Sequence, residues 1–175
     1  MKSHYRAVVI GGGVVGASAL YHLAKMGWND VVLVEKIEYT SGSTWHAAGL
    51  LPLFNMSYSV GKIHKYSVDL YQSLEEETGQ HVSFHKTGNL RLARNQERMD
   101  EYKRYCGTAS TIGVPFEMIG PAEIKKLWPF AKVDDLVGAL FHPDDGHVAP
   151  VDVTMALLKG ARANGAETYS EVEVI

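Results

Sequence analysis

Cysteine is nearly absent: Cys106 is the one thiol in 175 residues. That count excludes an internal disulfide and any metal site built on paired cysteines, and it fits a reducing compartment. Long apolar runs are missing too, since no stretch approaches the roughly 20 residues that a membrane-spanning helix requires. Nor does one sign of charge dominate. With 17 basic and 20 acidic residues the net charge is -3, which gives nucleic acid or an anionic membrane surface no electrostatic foothold. Internal repeats and low-complexity tracts are lacking as well. Met1 to Tyr5 leads straight into an apolar segment, so no signal or transit peptide is expected there. The expected location is cytoplasmic, or the mitochondrial matrix if the chain is eukaryotic and already processed.

What is present begins with a βαβ pattern. Ala7-Val8-Val9-Ile10 reads as a strand buried on both faces of a parallel sheet. Gly11-Gly12-Gly13 interrupts it, and Val15, Ala19, Leu23 and Met26 then recur at helical spacing until Gly27. Val31 to Val34 is the second buried strand, closed by Glu35.

Gly11, Gly13 and Gly16 thus fall in a Gly-x-Gly-x-x-Gly turn between strand and helix. The first glycine permits the tight turn, the second lets backbone approach a pyrophosphate, and the third lets helix and strand pack closely. The helix N-terminus adds free N–H groups and partial positive charge. Glu35 lies where a carboxylate accepts from ribose hydroxyls, and it would repel the 2′-phosphate of NADP. The pattern alone does not separate FAD from NAD. A nicotinamide-dependent dehydrogenase therefore stays open at this point.

Thr40 to Thr44 is polar and small, and it leads into Trp45-His46-Ala47-Ala48-Gly49. A loop feeding a short helical turn is expected. A neutral imidazole is a competent nucleophile near pH 7, so His46 is a candidate for attachment to a flavin held nearby. An amphipathic helix follows over Tyr58 to Thr78, using Ile63, Tyr66, Leu70 and Leu74, and Gly79 ends it.

After Gln80 the pattern changes. Val82 to His85 and Asn89 to Ala93 alternate apolar with polar residues, which suits an antiparallel sheet with one solvated face. Asn95 is placed to cap a helix with Met99, Tyr102 and Cys106 inward, and Pro121 to open a short helix that Pro129 stops. Val137 to His142 reads as a strand, Pro143 to Gly146 as a turn, Asp152 to Asn164 as a helix, and Glu167 to Ile175 as a strand. His142, Asp144, Asp145 and His147 suit a turn better than a metal site, so no metal is expected. Arg91 and Arg94 fit a solvated strand edge better than a substrate carboxylate site.

The segment Gly42-Ser43-Thr44-Trp45-His46-Ala47-Ala48-Gly49-Leu50 resembles the covalent-flavin motif of the dimethylglycine and sarcosine dehydrogenase family. Leu74 to Gln80, Asp145-Gly146-His147, and Thr154 to Leu157 with Gly160-Ala161-Arg162 carry the resemblance along the chain. Leu51 to Asn55 departs from the dimethylglycine pattern, which leaves the substrate open.

The resemblance implies a D-amino-acid-oxidase-type α/β fold, with a Rossmann-like FAD-binding domain and an inserted antiparallel substrate domain. On that expectation residues 1–80 begin the FAD domain, 81–145 begin the substrate domain, and 146–175 return to the FAD domain. Family members are several times longer, so a fragment of a longer chain is expected. Flavin contacts are implied at Val14, Val15, Glu35, Lys36, Gly42 through Leu50 and Val174, with histidyl attachment at His46. Oxidation of the N-methyl group of a small methylated amino acid is implied, with an electron-transfer flavoprotein or oxygen as acceptor and tetrahydrofolate only in a longer chain. No residue stands out as a catalytic acid or base.

Overall fold

A computed structural model describes residues 1–175. Its residues group into two compact units. The first holds Met1–Gly49, Leu70–Phe84 and Val148–Ile175; the second holds Leu50–Asp69 and His85–His147. No helix is long and apolar enough to cross a membrane.

The first unit is built on a parallel sheet in the order β1 (Ala7–Ile10), β2 (Val31–Val34), β9 (Glu167–Tyr169). All four residues of β2 are buried, as a continuous run of β-branched and aliphatic residues predicts. In β1 the expectation fails. Val8 and Ile10 are 52% and 67% exposed, because β1 is an edge strand with only one of its faces covered.

Helix α1 (Val14–Lys25) packs against α5 (Pro150–Ala163). It buries Ala17, Leu20, Tyr21 and Ala24, each side chain such as Leu20 contributing roughly 1.5–3 kcal/mol. The sequence-predicted inner face is therefore wrong: Val15 and Met26 point to solvent. α1 is apolar around most of its circumference, so periodicity could not select the face that meets α5. Helix α5 begins at Pro150, two residues earlier than expected, with proline in its first turn. The C-terminal half of α2 (Tyr58–Thr78) is tied to α1 through Tyr21, whose hydroxyl donates to Glu77 Oε1 at 2.6 Å. Lys25 donates to that hydroxyl at 2.7 Å and to Glu77 Oε2 at 2.9 Å.

The predicted terminal strand is shorter than expected. Beyond Tyr169 the backbone leaves the strand, yet Glu171 N–H still reaches Ile37 O at 3.0 Å and Val172 N–H reaches Glu35 O at 2.9 Å.

In the second unit, an antiparallel sheet runs β5 (Asn89–Ala93), β7 (Gly138–His142), β6 (Glu117–Ile119). Helix α3 (Gln96–Ile112) starts at the expected cap: Asn95 Oδ1 accepts from Arg98 N–H at 2.9 Å, a bond worth about 1 kcal/mol. Tyr102, Tyr105 and Ala109 form its buried side, while Cys106 is half-buried. Helix α4 (Pro121–Leu127) opens on its proline and buries Ile124 against Ala131 and Ala139, with Leu90 and Ile119 beside them. A small sheet joins β3 (Leu50–Leu51), β8 (Gly146–His147) and β4 (His85–Lys86). The strand expected over Val82 to His85 is reduced to its end, since Ser83 adopts a positive φ of 52° that no ladder accommodates. Along α2, Leu70 and Leu74 are buried as expected, but Ile63 and Tyr66 are 63% and 52% exposed.

Candidate functional site

The site forms where β1 ends. Gly11 turns the chain with φ 112°, a conformation closed to side-chain-bearing residues. At Gly16 a Cβ would fall inside the van der Waals shell of the Gly11 carbonyl oxygen, so strand and helix can meet this closely only through glycine. The N-cap of α1, Gly13, offers no side chain to the first turn, and that turn carries no acid. Apart from the Val14 N–H, which Thr44 takes, its first-turn N–H groups and the positive end of the helix dipole face an open cavity.

That cavity measures about 510 Å³ and is lined by Gly11, Gly13, Val14, Val15, Gly16, Glu35, Gly42, Ser43, Thr44 and Ala47, joined by Ile10 and Ala19. The exposure of Val15, 80%, is thereby explained: it lines the mouth of the cavity instead of the core. A second cavity of about 330 Å³ shares Ile10, Gly11 and Glu35 and adds Lys36, Val172, Glu173 and Val174. Val172 and Glu173 were not foreseen, because only the return of the chain past β9 brings them to the Glu35 carbonyl.

Glu35 stands between the two cavities. Its Oε2 accepts from Gly12 N–H at 2.7 Å and its Oε1 from Ile37 N–H at 3.0 Å. These backbone bonds, led by the one from Gly12, hold its carboxyl below the usual carboxylate range. The carboxylate so fixed keeps further lone pairs for a ligand hydroxyl. It is a loop-organising group as well as a candidate ribose contact.

The polar segment after β2 folds back onto the glycine turn. Thr40, at φ 70°, donates its N–H to Gly12 O at 3.0 Å. Thr44 is buried, and its Oγ1 accepts from Val14 N–H at 3.0 Å. Thr44–His46 is a short 3-10 turn, the helical turn expected there. Trp45 donates Nε1–H to Ser41 O at 3.2 Å, and its ring lies 3.8 Å from that of His46. His46 is exposed, with Nδ1 at 3.1 Å from Gly42 O. A carbonyl only accepts, so Nδ1 carries a hydrogen, and in the neutral ring it is Nε2 that presents the lone pair. Trp45, His46, Ala48 and Gly49 line neither cavity; Leu50 falls in the other unit, in β3.

The remaining polar candidates scatter. Arg94 lies at the solvated surface, as expected, paired with Asp135 at 2.9 Å. Arg91 does not: it is half-buried, with its guanidinium 4.2 Å from the Phe54 ring. His142 and Asp145 are fully buried, and no group of three or more potential metal ligands exists.

A glycine turn, a helix N-terminus opening on a cavity and a fixed carboxylate after the second strand define a dinucleotide-binding α/β protein. Residues 6–175 match the family described as FAD dependent oxidoreductase, and the chain belongs to it. It is 48% identical over 164 residues to the mitochondrial dimethylglycine dehydrogenase of Rattus norvegicus, covering 94% of this chain and 19% of that protein. It is 39% identical over 175 residues to the mitochondrial pyruvate dehydrogenase phosphatase regulatory subunit of Mus musculus, covering 100% of this chain and 20% of that one. The crystal structure of L-proline dehydrogenase from P. horikoshii superposes with a TM-score of 0.91 at 31% identity, over 100% of this chain and 46% of that one. The chain thus spans about a fifth of the length of the curated relatives it matches.

The residues present fit FAD. The loop offers backbone donors and a dipole to the pyrophosphate, a fixed carboxylate to the ribose, and a cavity wide enough for backbone-close approach.

Proposed function

We propose that this chain is the FAD-binding part of an oxidoreductase acting on the N-methyl group of a small methylated amino acid, dimethylglycine-like, with its flavin bonded to His46. When bound, FAD would supply the acceptor for a hydride from the N-methyl carbon; water would then hydrolyse the iminium to the demethylated amine, formaldehyde and a proton, or its carbon would pass to a folate.

The chain's own share is binding and orientation. Gly11, Gly13, Val14, Val15 and Gly16 cradle the pyrophosphate, Glu35 and Lys36 take the adenosine side, and Val174 adds a backbone contact. Gly42 through Leu50 approach the ring system. His46 presents Nε2 as the nucleophile, because Nδ1–H is committed to Gly42 O. The unit containing β5, β7 and β6 is the start of the substrate-facing domain. Electrons leave to an electron-transfer flavoprotein or to oxygen, and tetrahydrofolate would act only in a longer chain.

One observation carries this reading. The Val14–Thr44 hydrogen bond fastens the turn that bears His46 directly to the dinucleotide loop. The similarity to a phosphatase regulatory subunit favours a second reading, a flavin-binding module without turnover. Acid precipitation of the expressed protein decides the first point. The FAD mass is expected to stay with the peptide containing His46 and to leave it in His46→Ala. Flavin that never stays with that peptide refutes the attachment. Retention with no turnover of dimethylglycine or sarcosine by the full-length protein selects the second reading.

A further inference from the structure

Three buried polar atoms in the second unit have no protein partner: Arg91 Nε, His142 Nδ1 and Asp145 Oδ2. Their residues are neighbours. Arg91 pairs with Leu140 and His142 with Asn89 across β5 and β7, so the two side chains share one sheet face on a diagonal that long side chains span. Phe54 covers that face, with the Arg91 guanidinium 4.2 Å from its ring and the Tyr105 ring 4.4 Å away. Asp145 reaches the same cover: its Oδ1 accepts from Leu53 N–H at 2.9 Å. The guanidinium charge is felt at both His142 and Asp145.

The hydrogen-bond roles of the three atoms follow from their neighbours. Tyr105 donates its hydroxyl hydrogen to Leu53 O at 3.2 Å. At 3.0 Å it must then accept from His142 Nε2, which carries the ring's hydrogen. Burial holds His142 far below its ordinary value, at about 4, so at neutral pH the ring is uncharged and Nδ1 is a bare lone pair. Asp145 Oδ2 is a second acceptor, and Arg91 Nε–H is a donor.

We propose that Arg91 Nε, His142 Nδ1 and Asp145 Oδ2 form a binding site for one internal water molecule. Two acceptors and one donor are the complement of a molecule with two O–H bonds and a free lone pair. An anion would meet the lone pairs of His142 and Asp145, and a metal cation would meet the guanidinium; each is opposed by part of the site. Leaving such groups unpaired in the interior is destabilising, and internal waters with about three partners are the usual remedy. The water makes Arg91 and Asp145 a solvent-separated ion pair, held over the face that fixes Leu53 and Phe54.

Diffraction from crystals of the unmutated, flavin-loaded protein at near-neutral pH tests this directly. One spherical density peak at full occupancy is expected, within about 2.6–3.2 Å of all three atoms. Side chains in direct contact with one another and no peak between them would overturn the proposal. So would a bromide anomalous peak at the guanidinium after a halide soak, which would make the ligand an anion. An absent bromide signal together with the retained peak supports water.

Discussion

Thr44 Oγ1 accepts the backbone N–H of Val14 at 3.0 Å, joining the turn that carries His46 to the first residue of α1. The bond consumes one of the free donors of the helix N-terminus and leaves its neighbours for a ligand. It also makes the position of the turn depend on the glycine loop.

Replacing Thr44 with valine keeps the side chain's shape and removes this acceptor. A loss of about 1–2 kcal/mol in stability is expected, with roughly five- to thirty-fold weaker retention of FAD. Fluorescence titration of the His46→Ala background, where no covalent bond forms, measures it. Unchanged affinity would mean that the turn is held by Thr40 and Gly12 alone.

Gly16→Ala and Gly107→Ala should move stability in opposite directions. A methyl group at Gly16 collides with the backbone of Gly11, so the loop must shift, at a cost of about 2 kcal/mol or more. At Gly107, exposed inside α3, the added Cβ meets nothing, and alanine should stabilise by roughly 0.5–1 kcal/mol. Urea melts of the two variants check both signs.

Burial drives Asp145 and His142 in opposite senses. Asp145 is raised from 3.8 to about 6, chiefly by desolvation, so its contribution to stability is present at low pH and is lost as pH rises through 6. His142 is lowered from 6.5 to about 4, again chiefly by desolvation, so its contribution is present above 6.5 and is lost as pH falls toward 4. Between pH 4 and 6 the slopes oppose each other. Asp145→Asn should therefore lose stability on acidification more steeply than the parent, and His142→Gln should gain, by up to about 3 kcal/mol each across the window. Parallel melting curves against pH for parent and variants would contradict this.

Arg91→Ala and Arg94→Ala should separate cleanly. Arg94 is 78% exposed in its ion pair, so its loss should lie within about 0.5 kcal/mol of zero. Arg91 loses its contact with Phe54 and leaves Asp145 without a nearby cation, a change of about 1–3 kcal/mol. Thermal denaturation of both distinguishes them, and equal effects would place Arg91 at the solvated edge after all.

The glycine turn, Glu35, the Asn95 cap and the Pro121 start were all legible in the sequence, because each depends on local chemistry at fixed spacing. The inner face of α1 was not. Val15 and Ala19 are as apolar as Leu20 and Ala17, and only α5, more than a hundred residues away, decides between them. The burial of His142 and Asp145 was hidden for a different reason. Proline, aspartate and glycine describe the turn's bends correctly, but the burial comes from Leu53, Phe54 and Tyr105, distant in sequence and brought in by the sheet. The return of Val172 to Val174 to Glu35 likewise depends on tertiary backbone bonds.

Strand β1 carries a consequence for handling the isolated chain. It is a four-residue, entirely uncharged edge, with Val8 and Ile10 in water and no lysine or proline to guard it. Its open backbone N–H and C=O groups are free to pair with a further strand. At high concentration this polypeptide should therefore associate with itself edge to edge, and its monomeric fraction should fall as the protein load rises.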